Sequence, residues 1–410
     1  MVDNLDTKSI EHSKLHIQKL LLLSIAMIGT MTTWFSMTAV LPELIELWSL
    51  SSTQASFVTI MVQIGFVLGS LIFAFFNLPD RINLSILFFW SAISAGTSTI
   101  IAAFVVDSYA SALFFRFITG IALSGVYGPG LKLMSTWFRI RRGMALGFVV
   151  GALTLGSATP HLFRIFSLGS WELVLVISGI ASIVAGIIVR ITISNGPYPL
   201  PKATFDAWAI PRALRHKPVR LANYGYFGHM WELYAMWAWF GLFFTSSLEL
   251  RGVENASTLG SFVTFVVIAS GFIGAWFGGI FADKFGRERI TVWSLGTSGV
   301  IAFSIGFFYE GPVWFLLLLG IIWGISIIAD SAQFSALITE HGDQRYIGSL
   351  LTFQLAVGFT LTAIVILLIP IFESMVGWRF VFLLLVPGPL FGFVAMLRMK
   401  SEDKRRGDDS

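Results

Sequence analysis

The feature that most constrains this chain is a rhythm of apolar runs. Stretches near the roughly 20 residues needed to cross a bilayer follow one another with short polar breaks. They fall at about residues 18–41, 54–76, 83–105, 109–132, 143–165, 170–192, 221–246, 257–280, 290–309, 312–336, 347–370 and 378–397. Twelve such runs predict an all-α membrane protein. The first run is too long for a signal-peptide core and reads as an uncleaved span. Charged residues make up 12% of the chain, against about 25% in soluble domains, and little sequence is left between the runs for a separate catalytic domain. The absence of cysteine excludes disulfides, thiol chemistry and cysteine-ligated metal. The net charge of +4 does not point to nucleic acid, because the basic residues sit in loops beside the runs.

Those basic residues fix an orientation. Of the 27 lysines and arginines, 22 fall on the side of the amino terminus. Arg164, Arg251 and Arg379 fall on the other side, and Arg116 and Lys132 lie within runs. The positive-inside rule then places both termini in the cytoplasm of a multi-pass cell-membrane protein. The expected organisation is a cytoplasmic tail 1–17, a six-helix bundle 18–192, a central loop 193–220, a second bundle 221–397 and a tail 398–410. The central loop holds five of the 13 prolines, and its stretch DAWAIPRALRHK reads equally as a short surface helix or as an irregular tether.

The two halves look alike. GGIFADKFGRER (residues 278–289) joins spans eight and nine, and the weaker NLPDRIN (77–83) joins spans two and three. Gly-Trp-Arg at 377–379 opens span twelve as Ser-Trp-Glu at 170–172 opens span six.

Charges inside the runs are the candidate functional groups, because an intramembrane ionisable residue needs a partner or a wet cavity. Arg116 lies about 10 Å from the outer end of its span at about 1.5 Å per residue, where it can bind an anion bidentately. Glu232 lies roughly 16 Å into span seven on the same rise, near the midplane. His229 is three residues away and shares its face. A carboxyl group there can alternate between protonated and ionised states, with histidine as relay or donor. The plainer alternatives are a static Glu232–Arg116 pair, a Glu232 hydrogen-bonded to a neighbouring tyrosine, and backbone-carbonyl contacts for Arg116. Asp330, near the cytoplasmic mouth of span ten, reads as a gate or latch pair. Lys132 reads as a snorkelling side chain, and His161 and Arg164 as interfacial. Trp34, with Thr30 and Thr33, gives span one a mildly polar face, and Gly147-x3-Gly151 reads as a helix-packing site.

The loop motif Gly-x-x-x-Ala-Asp-Lys-x-Gly-Arg, met by Gly279, Ala282, Asp283, Lys284, Gly286 and Arg287, resembles that of the major facilitator superfamily of secondary transporters. So do Arg116 with Gly120 in span four and WFRIRRGMALG between spans four and five. The resemblance implies two pseudo-symmetric six-helix bundles whose spans one, four, seven and ten line a central cavity. It also implies a cytoplasmic latch at Asp80, Arg81, Asp283, Lys284 and Arg287. HMWELYAMWAW (229–239) and ADSAQFSAL (329–337) resemble a bacterial and archaeal branch grouped with nitrate, nitrite and cyanate carriers. Nitrate itself is disfavoured, because spans two and eight hold no lysine or arginine. The Gly-Pro pattern of drug–proton antiporters is only partly met, since Pro160 comes late in span five.

The expected function is therefore secondary active transport of a small solute, an organic anion if Arg116 binds it, with proton coupling. Arg116, His229, Glu232, Trp34 and Asp330 are the expected substrate and coupling residues. Drug or amphiphile efflux by proton antiport and a non-transporting membrane sensor are the alternatives. No enzyme chemistry, cofactor or metal is expected. The expected working unit is a monomer in a lipid bilayer, with the solute and protons as partners.

Overall fold

The computed structural model describes residues 14–167, 170–198 and 206–408, with side chains to residue 399. The expected tail up to residue 13, Pro199, Pro201 and Lys202 of the central loop, and the side chains of the last eleven residues lie outside that description. Ten segments are long and apolar enough to cross a membrane. One of them, Gln344–Met399, folds back as two helices. Lys217–Glu249, interrupted by Asn223, His229 and Glu232, is a further 33-residue helix. The protein is thus an all-α, multi-pass membrane protein of twelve spans, with no strand among the described residues.

The spans are α1 (Lys14–Ala39), α2 (Ser52–Phe75), α3 (Leu84–Val105), α4 (Tyr109–Ser135), α5 (Arg142–Phe166) and α6 (Trp171–Thr192) in the first half. The second half has α7 (Lys217–Glu249), α8 (Ala256–Phe285), α9 (Arg287–Ser304), α10 (Val313–Ala329, continued by Ser331–His341), α11 (Ile347–Phe380) and α12 (Pro387–Asp408). Helix starts carry their own signals. Ser51 with Gln54 and Ser108 with Ser111 form capping boxes for α2 and α4. Asn83 and Ser170 accept from the first free N–H groups of α3 and α6. α11 is kinked at Gly377, which takes φ 72°, a left-handed conformation that glycine adopts at little cost. In the central loop the short helix is Ala209–Leu214; Ile210 and Ala213 pack inward while Trp208 is exposed.

The internal repeat is written into the packing. In the first half α1 packs on α5 and α6, α3 on α4 and α6, and α2 on α4. Each contact recurs six helices later: α7 on α11 and α12, α9 on α10 and α12, and α8 on α10. The closest of these contacts are made through glycine. A Cβ on Gly120 would stand 2.0 Å from the Val62 carbonyl, and one on Gly324 would stand 2.0 Å from the Val267 carbonyl. Backbones that close exclude any larger residue.

The bundles meet along two seams, α5 with α8 and α2 with α11, which the repeat exchanges. Gly147 and Gly151 sit in the first of these. A Cβ on either would come within 3 Å of the Ala275 or Phe272 carbonyl oxygen.

Candidate functional site

Between the bundles lies a cavity of about 490 Å³. Its walls are the halves of α2, α4, α5, α10 and α11 nearest the end that carries Asp80, Arg142 and Arg287, here called the basic end, and the cavity reaches that end. Its volume falls in the usual range for small-molecule sites. Phe66 on α2 lines it, and Trp34 on α1 and Phe359 on α11 pack on that ring with Tyr234 on α7 behind Phe359, a four-ring roof of which only Phe66 touches the cavity. Their centroids are 4.7 Å apart for Phe66–Phe359, 4.9 Å for Trp34–Phe66 and 5.1 Å for Tyr234–Phe359. Trp34 is buried and its indole nitrogen has no hydrogen-bond partner.

Beyond the roof the bundles are tied together. Thr362 on α11 donates to Gln63 on α2 at 2.8 Å in a fully buried contact. At the end opposite the basic one, Arg164 on α5 is an anchor. Its Nε donates to Glu43 at 2.7 Å, and its two terminal nitrogens donate to Ser261 at 2.7 Å and Ser257 at 2.9 Å on α8. His161, expected at the interface, is buried instead.

The buried charges are not where the sequence expectation put them. Arg116 and Glu232 do not meet, and neither lines the cavity. Arg116 is 2% exposed. Its Nε donates to the Val58 carbonyl at 3.1 Å, one terminal nitrogen to Thr33 at 2.9 Å, and the other to Trp34. A guanidinium has five N–H donors, and a helical carbonyl has a second lone pair to offer. Arg116 thus stitches α4 to α1 and α2 inside the first bundle, which corrects the expectation that it faces solute.

Glu232 is held within the second bundle. Trp323 of α10 donates its indole N–H to Oε1 at 2.7 Å, and Ser298 of α9 donates to Oε2 at 2.9 Å. One turn away, His229 Nδ1 lies 2.9 Å from Asp330 Oδ1, with both side chains buried. Asp330 therefore does not sit at a mouth as a gate. It stands at the break in α10, between Ala329 and Ser331, and faces α7. His229, Glu232 and Asp330 form one buried polar cluster across α7, α9 and α10.

The five loop residues divide sharply. Asp283, at the end of α8, accepts from the backbone N–H of Met144 at 3.3 Å, which places a carboxylate at the amino terminus of α5 in the other bundle. Arg287 donates to Glu340 at 2.6 Å and to Gln333 at 2.8 Å, both on α10. Lys284 lies over the ring of Phe285 at 5.1 Å. Asp80 pairs with Lys132 at 2.7 Å inside its own bundle, so Lys132 is an ion-pair partner and not a snorkelling side chain. Arg81 is exposed.

Sequence reasoning passed over Gln63, Gln333 and Tyr127 because it followed ionisable groups. Amides and hydroxyls inside apolar runs are the signal that finds them. It also missed Arg164 as an anchor, because Glu43 lies on the short helix Leu41–Trp48 outside any counted run.

Similarity to known proteins agrees with this architecture. A bacterial homolog of the human lysosomal transporter Spinster, solved in an inward-facing and unoccupied conformation, superposes with a TM-score of 0.72 at 16% identity, covering 95% of this chain and 99% of that one. A mutant of the nucleoside transporter NupG superposes with a TM-score of 0.71 at 12% identity, covering 93% and 99%. The uncharacterized transporter ESBP6 of Saccharomyces cerevisiae is 23% identical over 262 residues, which are 59% of this chain but only 38% of that protein. Residues 22–364 match the Major Facilitator Superfamily, and the chain belongs to that family.

Proposed function

We propose that this chain is a proton-coupled secondary transporter that carries a small solute across the cell membrane by alternating access, with the basic end in the cytoplasm. The observation that carries the reading is a chamber between two pseudo-symmetric bundles that reaches one end and is roofed by aromatic rings toward the other. Rocking the bundles about such a midplane site exposes it to each side in turn. The charge bias supports a basic end that faces the cytoplasm.

Coupling is assigned to the His229–Asp330–Glu232 cluster. Buried ionisable groups within a span are costly, and this cluster bridges α7 to α9 and α10. Protonation of Glu232 or Asp330 changes which of these hydrogen bonds exist, so the packing of α7 against α10 depends on the proton. Arg116 donates to main-chain carbonyls, which removes the residue on which an organic anion was expected. The amphiphile antiport reading is correspondingly favoured over anion uptake.

The test uses proteoliposomes with pyranine inside, an imposed pH gradient, and a panel of small neutral, anionic and cationic solutes. The expected result is proton movement on addition of a carried solute, lost in Glu232→Gln while solute exchange persists. A carried solute that moves no protons overturns the coupling. Failure of every solute to cross favours the membrane-sensor reading.

A further inference from the structure

The chamber is charged at its mouth and uncharged in its depth. Its charged lining residues are Asp80, Lys132, Arg142, Arg287 and Glu340, all at the basic end. Asp80 pairs with Lys132 and Arg287 with Glu340, while Arg142 donates to the Phe138 carbonyl at 3.3 Å. Deeper in, the wall is made by Phe66, Ser124, Tyr127, Val150, Gln333 and Leu355. It consists of rings, hydroxyls, an amide and aliphatic groups.

Two details give this depth a shape. Gly128 lines the chamber beside Tyr127, and a Cβ built on it would meet nothing within 4 Å. Most other glycines of the spans are there because a neighbouring backbone leaves no room; Gly128 instead leaves room in the chamber. Gln333 is 1% exposed, and its carbonyl oxygen is taken by Arg287, which leaves its amide nitrogen as a donor with no partner. An unsatisfied buried donor is costly and is relieved by an acceptor brought in by a ligand.

We infer that the deep chamber binds an uncharged, flat, aromatic or amphiphilic solute bearing a hydrogen-bond acceptor. Its ring lies in the space left by Gly128, against Tyr127 and Phe66, and its acceptor takes the Gln333 amide N–H. A cation leaves water there without gaining a countercharge, and an anion at the Gln333 amide meets only the Arg287 guanidinium, already paired with Glu340, which selects against both. This rests on the transporter reading for its biological meaning and deepens that reading by naming the substrate class, but it is tested by binding alone.

The probes are 2-naphthamide, 2-naphthoate and 2-naphthamidine, which share one flat shape and differ in charge. They are titrated into the purified, detergent-solubilised chain, with binding read calorimetrically. 2-Naphthamide is expected to bind about ten-fold tighter than either ion. Gly128→Leu fills the space and weakens that binding by about ten-fold or more, with the melting temperature retained because its Cβ meets no atom within 4 Å. Gln333→Met weakens 2-naphthamide while leaving binding of unsubstituted naphthalene in place, and it serves if Gly128→Leu does not fold. Three outcomes overturn the inference: equal or tighter binding of 2-naphthoate or 2-naphthamidine, no binding of any probe, or undiminished 2-naphthamide binding in both variants. A chain that binds 2-naphthamide but transports nothing in proteoliposomes sinks the transporter reading and leaves this one standing.

Discussion

The α5/α8 and α2/α11 seams are exchanged by the internal repeat, yet at the basic end one is shut and the other stands apart. α5 and α8 touch along their whole length. At the basic end Asp283 lies so near α5 that a Cβ on Gly143 would be 2.2 Å from its carboxylate. Midway, Gly147 meets the Ala275 backbone and Phe148 packs edge-on to Phe272 at 5.1 Å. At the far end Arg164 bonds Ser257 and Ser261. The hydrogen bonds and ring contact between α2 and α11, Ser56–Ile366, Gln63–Thr362 and Phe66–Phe359, lie in the half away from the basic end. Below that, Asn77 and Asp80 on one side and Gln344 and Ile347 on the other line the chamber.

The loop sequences account for the difference. A carboxylate reaches the amino terminus of a facing helix only if the backbones approach closely. Gly143, Gly147 and Gly279 permit that on one side. The first-half loop lacks the glycines of its counterpart, and its carboxylate, Asp80, turns to Lys132 instead. The intact motif thus goes with the closed seam and the degraded motif with the open one.

The largest expected effect comes from wedging the closed seam. Gly147→Val puts a branched side chain where a Cβ already stands 2.6 Å from the Ala275 carbonyl oxygen, a backbone atom that cannot swing aside. Overpacking of this kind costs about 1–3 kcal/mol. Thr352→Val, on the chamber wall of α11, is nearly isosteric and costs about 0.5 kcal/mol or less. Thermal unfolding in detergent, followed by tryptophan fluorescence, compares them. Equal losses in the two variants contradict the asymmetry.

A smaller effect is expected at Asp283. Asp283→Asn keeps the shape but removes the charge at the α5 terminus, a loss of about 1 kcal/mol on the scale of capping interactions. Loosening should be local. Amide exchange at Met144 and Ala145 is expected to rise while that of α2 and α11 stays level. A rise spread evenly over both seams counts against Asp283 as the closure of α5/α8.

The spans were readable because bilayer thickness imposes their length and apolarity whatever the packing. α7 is the least apolar of the runs, since Asn223, His229 and Glu232 interrupt it, and His229 and Glu232 marked it as important. Gly147-x3-Gly151 was readable as a packing site because close approach demands small residues at that spacing. The partners of the buried charges were not readable. Spacing puts His229 and Glu232 on one face, but it does not reveal that Trp323 and Ser298 wait there, and where carbonyl contacts for Arg116 are one alternative it does not say that they are those of Thr33, Trp34 and Val58. Every peptide has a carbonyl, so nothing in the sequence distinguishes the three that accept from it. The break of α10 at Asp330 was hidden for a related reason: an aspartate within an apolar run is equally consistent with a gate at a mouth and with a buried partner for histidine.

The smallest effect is expected on the open side. Asp80 and Lys132 are joined at 2.7 Å, but their side chains remain 17% and 25% exposed, and both belong to the first bundle. A double-mutant cycle with Asp80→Asn and Lys132→Met should give a coupling of about 0.5 kcal/mol, shrinking at high salt as a solvent-reachable pair does. The Asp283→Asn loss should respond to salt less than that coupling, because the backbone N–H of Met144 faces that carboxylate at 3.3 Å while the Arg287 guanidinium stands farther off at 3.9 Å. If the Asp80–Lys132 coupling instead equals or exceeds the Asp283 loss and resists salt, the first-half loop is also holding the fold, and the contrast between an engaged and a disengaged motif fails. If it vanishes altogether, Asp80 is free to leave Lys132. The glycine facing it across the chamber, Gly348 on α11, occupies the place in the repeat that Gly143 holds on α5. Closure of that side then needs no stronger force than the cap already seen at Asp283.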